Sequence, residues 1–87
     1  MMEPLRLDYT RHAVHAMEER MIPREWVESA VEEPALRTTD PNVPEAERFF
    51  RRVPERGDRV LRVVVNTRVV PWRVVSVFFD RSKRGEL

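Results

Sequence analysis

The first third of the chain carries apolar residues at helical spacing. When successive residues turn by about 100°, one face collects a stripe of apolar side chains. The residues on that face are Tyr9, Ala13, Ala16, Met17 and Met21. Thr10 stands just before the stripe and is a residue type that accepts from free amides as an N-cap. The pattern therefore predicts a helix over residues 11–21.

A second helix is predicted immediately afterwards. Pro23 suits a first helical turn, and Pro34 stops the pattern. The apolar stripe between them consists of Trp26, Val27, Ala30 and Val31. Because the connection is so short, the two helices predict an αα-hairpin over residues 10–33.

The helical spacing of apolar residues ends in the second half of the chain, where β-branched and aromatic residues dominate. Residues 34–47 contain three prolines with Thr, Asp and Asn, which predicts a loop. Three strands are expected after it, and residues 80–87 are expected to form a charged tail. The predicted strands are Arg48 to Val53, Arg59 to Thr67 and Trp72 to Phe79.

Helices followed by a meander of strands indicate an α+β domain. We expect a single domain over residues 1–87, with the N-terminal αα-hairpin packed on one face of a three- to four-stranded antiparallel sheet. Trp26 and Phe78 are expected to anchor the core. The other sheet face is expected to stay partly open, with Arg51 and Arg73 reaching solvent or RNA.

Charge is distributed unevenly along the chain. Residues 1–34 hold eight acids and four arginines, a net charge of −4, whereas residues 35–87 hold twelve cations and seven acids, a net charge of +5. Every cation except Lys83 is arginine, which favours bidentate phosphate recognition, although a codon bias produces the same ratio. The asymmetry permits contact with RNA through one half, or pairing with a protein partner or a second copy in a homodimer.

Composition excludes several classes of site. The chain has no cysteine, so disulfides, zinc-thiolate sites and thiol nucleophiles are all excluded. The longest apolar runs are too short to span a bilayer, and no secretion signal is visible. We therefore expect a cytoplasmic protein without membrane contact.

Arg20 falls within the apolar face of the first predicted helix. A guanidinium keeps its proton, so a buried arginine must meet a carboxylate, backbone carbonyls or a bound anion such as phosphate. Arg20 is therefore a candidate for stabilising charge on a phosphoryl group, or else a structural clamp at the end of the helix.

Two histidines lie on the same predicted helix. His12 is at the edge of the apolar face, where an imidazole could act as a general base or acid near neutral pH or simply pack at the core edge. His15 is expected to pair in solvent with Glu19, four residues on. These three residues do not have the spacing of a zincin site, so we expect no metal and no cofactor.

Polar residues also interrupt two of the predicted strands. Arg62 stands among valines of the second strand, and Ser76 among apolar residues of the third. Side chains on neighbouring strands can line one site, although an arginine on an edge strand often just faces water. Arg62 and Ser76 are therefore candidate site residues.

These features together resemble the small bacterial family DUF4258. The resemblance rests on the runs YTRHA at residues 9–13, MEERMI at residues 17–22 and RVLRVVV at residues 59–65. The chain departs from the family pattern at three positions: Met21 replaces the usual glycine, Pro23 the helix-starting serine and Ser76 a threonine.

The resemblance implies a function, because that family is placed by analogy with metal-independent RNases of the barnase, colicin and RelE-toxin type. It implies that His12, Arg20, Arg62 and Ser76 are catalytic, with RNA cleaved through the ribose 2′-hydroxyl and a cognate antitoxin as a partner. The alternative is a non-enzymatic partner-binding or regulatory domain in which His12 and Arg20 hold the fold together.

Overall fold

A computed structural model describes residues 6–87 of the chain, so residues 1–5 of the expected domain lie outside the described part. Residues 6–87 fold into two helices, five strands and two short 3-10 turns. The helices are α1 (Arg11–Arg20) and α2 (Arg24–Glu32). The strands are β1 (Leu7–Tyr9), β2 (Leu36–Thr39), β3 (Ala46–Val53), β4 (Arg59–Asn66) and β5 (Trp72–Phe79). The 3-10 turns are Pro54–Arg56 and Arg81–Lys83, the second of which we call the C-terminal turn.

The five strands form one mixed sheet in the order β1-β5-β4-β3-β2. β2, β3, β4 and β5 pair antiparallel in sequence order, whereas β1 pairs parallel with β5 through Leu7 opposite Trp72 and Tyr9 opposite Val74. The protein is α+β with two helices, but the predicted three- to four-stranded antiparallel sheet is wrong. Because the chain passes through both helices and three strands between β1 and β5, it can return in the parallel direction.

The two unpredicted strands are short and lie beside turn residues. β1 has three residues just before the N-cap Thr10, and β2 has four residues inside the proline-rich segment 34–47 that was predicted to be loop. β2 forms because Leu36–Thr39 lies antiparallel to residues 47–50 of β3. β1 and β2 are the two edge strands of the sheet, and they form through pairing with a long neighbouring strand rather than through local propensity.

The core lies between the helices and one face of the sheet. α1 packs against β5, and α2 packs against β3 and β4. The largest fully buried side chains in this core include Phe49, Leu61 and Val27. Trp26 packs against the core while partly exposed, whereas Phe78 lies on the opposite sheet face beside Arg62. The expectation that Phe78 anchors the core is therefore wrong.

Both ends of α1 are closed by specific backbone contacts. The Thr10 hydroxyl accepts from the amide of Ala13 (3.1 Å) and donates to the carbonyl of Val75 (3.1 Å), which confirms the predicted N-cap. At the other end Met21 adopts the left-handed conformation with φ 53°, and its amide donates to the carbonyl of Glu18. That conformation favours glycine, which is the residue that the resemblance to DUF4258 implies at this position.

Candidate functional site

A groove opens between α1 and the outer side of β5. β1 covers only the first three residues of β5, and no other strand within residues 6–87 pairs with that side. α1 runs beside the uncovered part and leaves a cavity of about 890 Å³, which we call the arginine groove. Its polar and charged lining residues are His12, Arg20, Arg56, Arg59, Ser76, Asp80, Arg81 and Arg84.

Backbone groups of β5 also point toward this side. The amide of Asp80 donates to the carbonyl of Val60 (2.8 Å), so this is a hydrogen-bonded pair of the antiparallel ladder. Hydrogen-bonded and non-hydrogen-bonded pairs alternate along such a ladder. The pairs of Val77 with Val63 and of Phe79 with Leu61 are therefore the non-hydrogen-bonded ones. Val77 and Phe79 thus direct their amides away from β4, toward the groove.

Cations dominate the groove, because five arginines line it against the single carboxylate of Asp80. Arg56 has a structural role, since its guanidinium donates to the carbonyls of Arg20 (3.2 Å) and Met21 (2.7 Å) at the end of α1. The other four guanidiniums make no hydrogen bond and no ion pair with any described residue. These four residues are Arg20, Arg59, Arg81 and Arg84.

Three of the four predicted catalytic residues lie in this groove: His12, Arg20 and Ser76. His12 is exposed on the first turn of α1, and Ser76 lies in β5 next to the carbonyl that Thr10 binds. Arg20 is exposed, so the expectation that it is buried is wrong. Its face of the helix is the apolar one, and Met17 on that face is buried in the core, but Arg20 lies with Ala16 where the helix borders the groove.

Arg62, the fourth predicted catalytic residue, does not line the groove. Its guanidinium stacks on the Phe78 ring at 4.0 Å and pairs with Asp80 (Nη1 to Oδ2, 3.2 Å). Burial and the neighbouring Arg48 cation lower the pKa of Arg62, while Asp80 and Asp40 act in the opposite direction. Its Nε is buried without a partner, which is typical of a guanidinium held for packing rather than exposed to a ligand.

Asp80 links this pair to the groove. Burial alone raises the pKa of its carboxyl, but hydrogen bonds from the Ser82 hydroxyl (2.6 Å) and amide (2.9 Å), together with the Arg62 cation, hold that pKa below its ordinary value. Asp80 is therefore charged at neutral pH and is a poor general base. Its carboxylate fixes the start of the C-terminal turn.

The two arginines predicted to bind RNA have separate positions. Arg51 lies on the helix side of the sheet and donates to the carbonyl of Glu33 (2.6 Å) just after α2, so the expectation that it occupies the open face is wrong. Arg73 is exposed in β5, opposite Asn66 and Asp8. Neither residue lines the arginine groove.

The second histidine has the predicted partner. His15 pairs with Glu19 one turn along α1, and both side chains are exposed, which confirms the expected solvent pair. Across residues 6–87 there is no group of three or more His, Cys, Asp or Glu side chains that could hold a metal ion. The site chemistry visible in the groove is therefore that of arginines and one imidazole.

Sequence reasoning missed five of the eight polar residues that line the groove. Arg56 ends the turn Pro54–Arg56 and Arg59 begins β4, whereas Asp80, Arg81 and Arg84 were interpreted as part of a charged tail. The spacing of three between Arg81 and Arg84 places them on one side of a 3-10 turn, and this was the available signal. Nothing in the sequence indicated that the turn folds against β4.

The fold and the groove define a small α+β domain with an arginine-lined cleft at the partly uncovered edge of its sheet. The family described as "Domain of unknown function (DUF4258)" matches residues 9–79, so the chain belongs to this family. No curated protein and no solved structure matches it. In the part of the chain that the structure describes, no helix is long and apolar enough to cross a membrane.

Proposed function

We propose that this protein is a metal-independent endoribonuclease whose arginine groove binds the RNA backbone and whose His12 transfers a proton. The observation that carries the proposal is the meeting, in one cleft, of an exposed imidazole with four guanidiniums that make no hydrogen bond or ion pair within residues 6–87. Partner-free guanidiniums at close quarters repel one another, so a polyanion that neutralises them binds favourably.

The type of cation supports a phosphate ligand in particular. A guanidinium presents a planar set of donors that matches two phosphate oxygens, and Arg20, Arg59, Arg81 and Arg84 are all arginine. The β5 amides of Val77 and Phe79 lie on the same side and add neutral donors. A phosphodiester in the groove would thus meet both charged and backbone donors.

The proposed reaction is an internal transesterification. The His12 imidazole removes the proton of the ribose 2′-hydroxyl, and the resulting oxygen attacks the adjacent phosphorus. The bond from phosphorus to the 5′-oxygen breaks, that oxygen takes a proton from water, and the protonated His12 returns its proton to the hydroxide that is left. The products are a 2′,3′-cyclic phosphate and a 5′-hydroxyl. Arg20 and the Ser76 hydroxyl stabilise the charge that grows on the phosphoryl oxygens.

The contacts favour this proposal over a purely structural role for His12 and Arg20. A structural clamp must bind a carbonyl or a carboxylate, as Arg56 does at the end of α1. The side chains of His12 and Arg20 make no such bond with residues 6–87. The Arg62 role implied by the family resemblance is not part of this proposal, since Arg62 points to Asp80.

The test is incubation of the pure protein with mixed-sequence RNA in EDTA, followed by analysis of the product ends. α1 supplies matched controls, because His15 and Arg11 are exposed on the same helix and do not line the groove. We expect His12→Ala to lower the cleavage rate by about 10²- to 10⁴-fold, and Arg20→Ala by about 10²-fold. His15→Ala and Arg11→Ala should cleave like the unchanged protein.

Two results would contradict the proposal. One is no cleavage of any RNA by the unchanged protein. The other is equal loss of activity in His12→Ala and His15→Ala, which would point to a general effect of altering α1. Thermal unfolding of every variant, followed by circular dichroism, ensures that only folded proteins are compared.

A further inference from the structure

We infer that Arg81 and Arg84 form a second phosphate subsite in the arginine groove, so that the ligand is a single strand with several consecutive phosphates rather than a mononucleotide. This inference rests on the proposed function and extends it to the class of substrate. It concerns a segment that the sequence presents only as a charged tail.

The groove is long enough for more than one phosphate. His12 and Arg20 are eight residues apart on α1, which is about 12 Å along the helix axis. The cavity of about 890 Å³ lies near the top of the range for small-molecule pockets, roughly 300 to 1,000 Å³. The proposed scissile phosphate meets His12, Arg20 and Ser76, which leaves Arg81 and Arg84 for a second phosphate.

The C-terminal turn is held in place from its first residue. The Asp80 carboxylate accepts from the amide and the hydroxyl of Ser82, and the amide of Arg84 donates to the carbonyl of Arg81 (3.3 Å). These contacts set the direction in which the chain leaves β5. Arg81 and Arg84 consequently line the groove while remaining exposed.

Two strand arginines hold the same turn from the open sheet face. The Arg62 guanidinium forms an ion pair with the Asp80 carboxylate and stacks on the Phe78 ring. Arg52 donates to the carbonyl of Arg84 (2.7 Å), next to the second subsite cation. Arg62 and Arg52 thus act as positioning residues, because they reach the groove only through the backbone and carboxylate of the turn.

The guanidiniums of Arg81 and Arg84 are available for a ligand. Neither makes a hydrogen bond or an ion pair in the described part of the chain, whereas Lys83 between them pairs with Glu86 (3.0 Å). A turn fixed by three groups, with two uncommitted cations directed into a cleft, is suited to an anion. Consecutive phosphates of one nucleic-acid strand provide anions at the required spacing.

The experiment measures binding apart from cleavage. A fluorescent 2′-O-methyl RNA of about ten nucleotides lacks the attacking hydroxyl and is within the usual site sizes for single strands. Its affinity is measured by anisotropy over a range of salt concentrations. We expect the double variant Arg81→Ala with Arg84→Ala to bind roughly tenfold more weakly, with the slope of log affinity against log salt reduced by about 1.4.

A charge-matched control separates the subsite from general attraction. Arg11→Ala with Arg68→Ala removes two exposed cations that do not line the groove. We expect this control to change affinity far less than the Arg81 and Arg84 double variant. A dinucleotide, which has one internal phosphate, should bind the unchanged protein and the double variant alike.

Asp80→Asn tests whether Asp80 positions the C-terminal turn, because the two possible roles of Asp80 change RNA affinity in opposite directions. This change removes a negative charge from the groove, so a purely electrostatic role predicts tighter RNA binding. If Asp80 directs the turn, binding weakens instead, although no cation has been removed. Circular dichroism melting confirms that the variant is folded at the temperature of the assay.

The outcomes separate the two proposals. If the unchanged protein binds no oligonucleotide, the proposed function fails together with the subsite. If it binds and the Arg81 and Arg84 variant matches its charge-matched control, the subsite is wrong while the proposed function stands. Tighter binding by Asp80→Asn would overturn the positioning role of that carboxylate.

Discussion

The arginines of the groove and those of the open sheet face have the same chemistry but opposite surroundings. Arg20, Arg59, Arg81 and Arg84 line a cleft and make no hydrogen bond or ion pair with any described residue, although the Arg59 guanidinium lies 5.9 Å from the centre of the Phe79 ring. On the open face, Arg62 pairs with Asp80 and Arg48 pairs with Asp40 (3.1 Å), and both aspartates are at most 10% exposed. The first group has unused donors, and the second has committed them.

This difference between the groove arginines and the open-face arginines shows that a candidate site cannot be assigned from residue type alone. A partly buried arginine must be compensated, so the fold places a carboxylate beside Arg62 and beside Arg48. An exposed arginine is compensated by water and can exchange that water for a phosphate. Interaction with a ligand is therefore expected of the groove, and stabilisation of the fold is expected of the open face.

The largest expected effect is on stability at the open face. Arg62→Ala leaves the mostly buried Asp80 carboxylate without its cation and removes a guanidinium stacked on Phe78, so we expect a loss of about 2 kcal/mol in the free energy of unfolding. Urea unfolding measures this loss. A double-mutant cycle with Asp80→Asn isolates the interaction free energy of Arg62 with Asp80. If Arg62→Ala lowers the free energy of unfolding by less than about 0.5 kcal/mol, the open-face arginines do not differ from the groove arginines in their role.

The second largest effect is expected from acid, which should lower the stability that the open-face ion pairs contribute. The folded-state pKa of Asp80 lies below its ordinary value, so the carboxylate stabilises the fold above the unfolded-state pKa of about 3.9, and this contribution is lost as pH falls through the folded-state pKa. Asp40 and Glu47 shift in the same direction. The melting temperature should therefore drop below about pH 4. In Asp80→Asn the melting temperature should drop less at low pH than in the unchanged protein. If the two proteins give parallel profiles of melting temperature against pH, Asp80 is not the source of the acid effect.

A smaller effect is expected where α1 ends beside the groove. Met21 has φ 53° and is 76% exposed, so Met21→Gly relieves left-handed strain without removing a buried side chain. We expect the free energy of unfolding to rise by about 1 kcal/mol. Gly57→Ala is the reverse control, since Gly57 has φ 65° and space for a Cβ, and it should destabilise the protein. Destabilisation by both changes would show that Met21 contributes contacts that outweigh its strain.

The smallest expected effect is on the stability of the groove itself. Arg20→Ala breaks no hydrogen bond of the described structure, so we expect a change within about 0.5 kcal/mol in the absence of RNA. Thermal melting with and without the 2′-O-methyl oligonucleotide measures both states. The oligonucleotide should raise the melting temperature of the unchanged protein more than that of Arg20→Ala, because a ligand stabilises only the state that binds it. Equal increases would place Arg20 outside the binding surface.

Much of the local structure was predictable because it depends on near neighbours. The Thr10 cap and the residues of α1 follow from helical spacing and capping chemistry, and β5 runs from Trp72 to Phe79 as predicted. β1 and β2 were not predictable in this way. Their few residues form strands only because β5 and β3 offer backbone partners that are distant in sequence.

The candidate site divides in the same manner. His12, Arg20 and Ser76 could be selected from the sequence, since each is a polar residue beside an apolar pattern. The sequence could not show that Arg20 is exposed, because the helical face on which it lies borders a groove only after α1 packs beside β5. Likewise, Arg62 and Ser76 both interrupt apolar strands, yet one pairs with Asp80 and the other lines the cleft.

By itself, the sequence determined the helical hairpin, the three long strands and the excess of arginine in the second half, because spacing, capping and composition are local properties. Only the tertiary structure decided which arginines are paired and which are available. That choice depends on contacts across the chain: Arg62 is 18 residues from Asp80, and Arg56 reaches across 36 residues to the carbonyl of Arg20. A guanidinium reaches only a few ångströms, so its role is set by whichever acceptors folding brings to it.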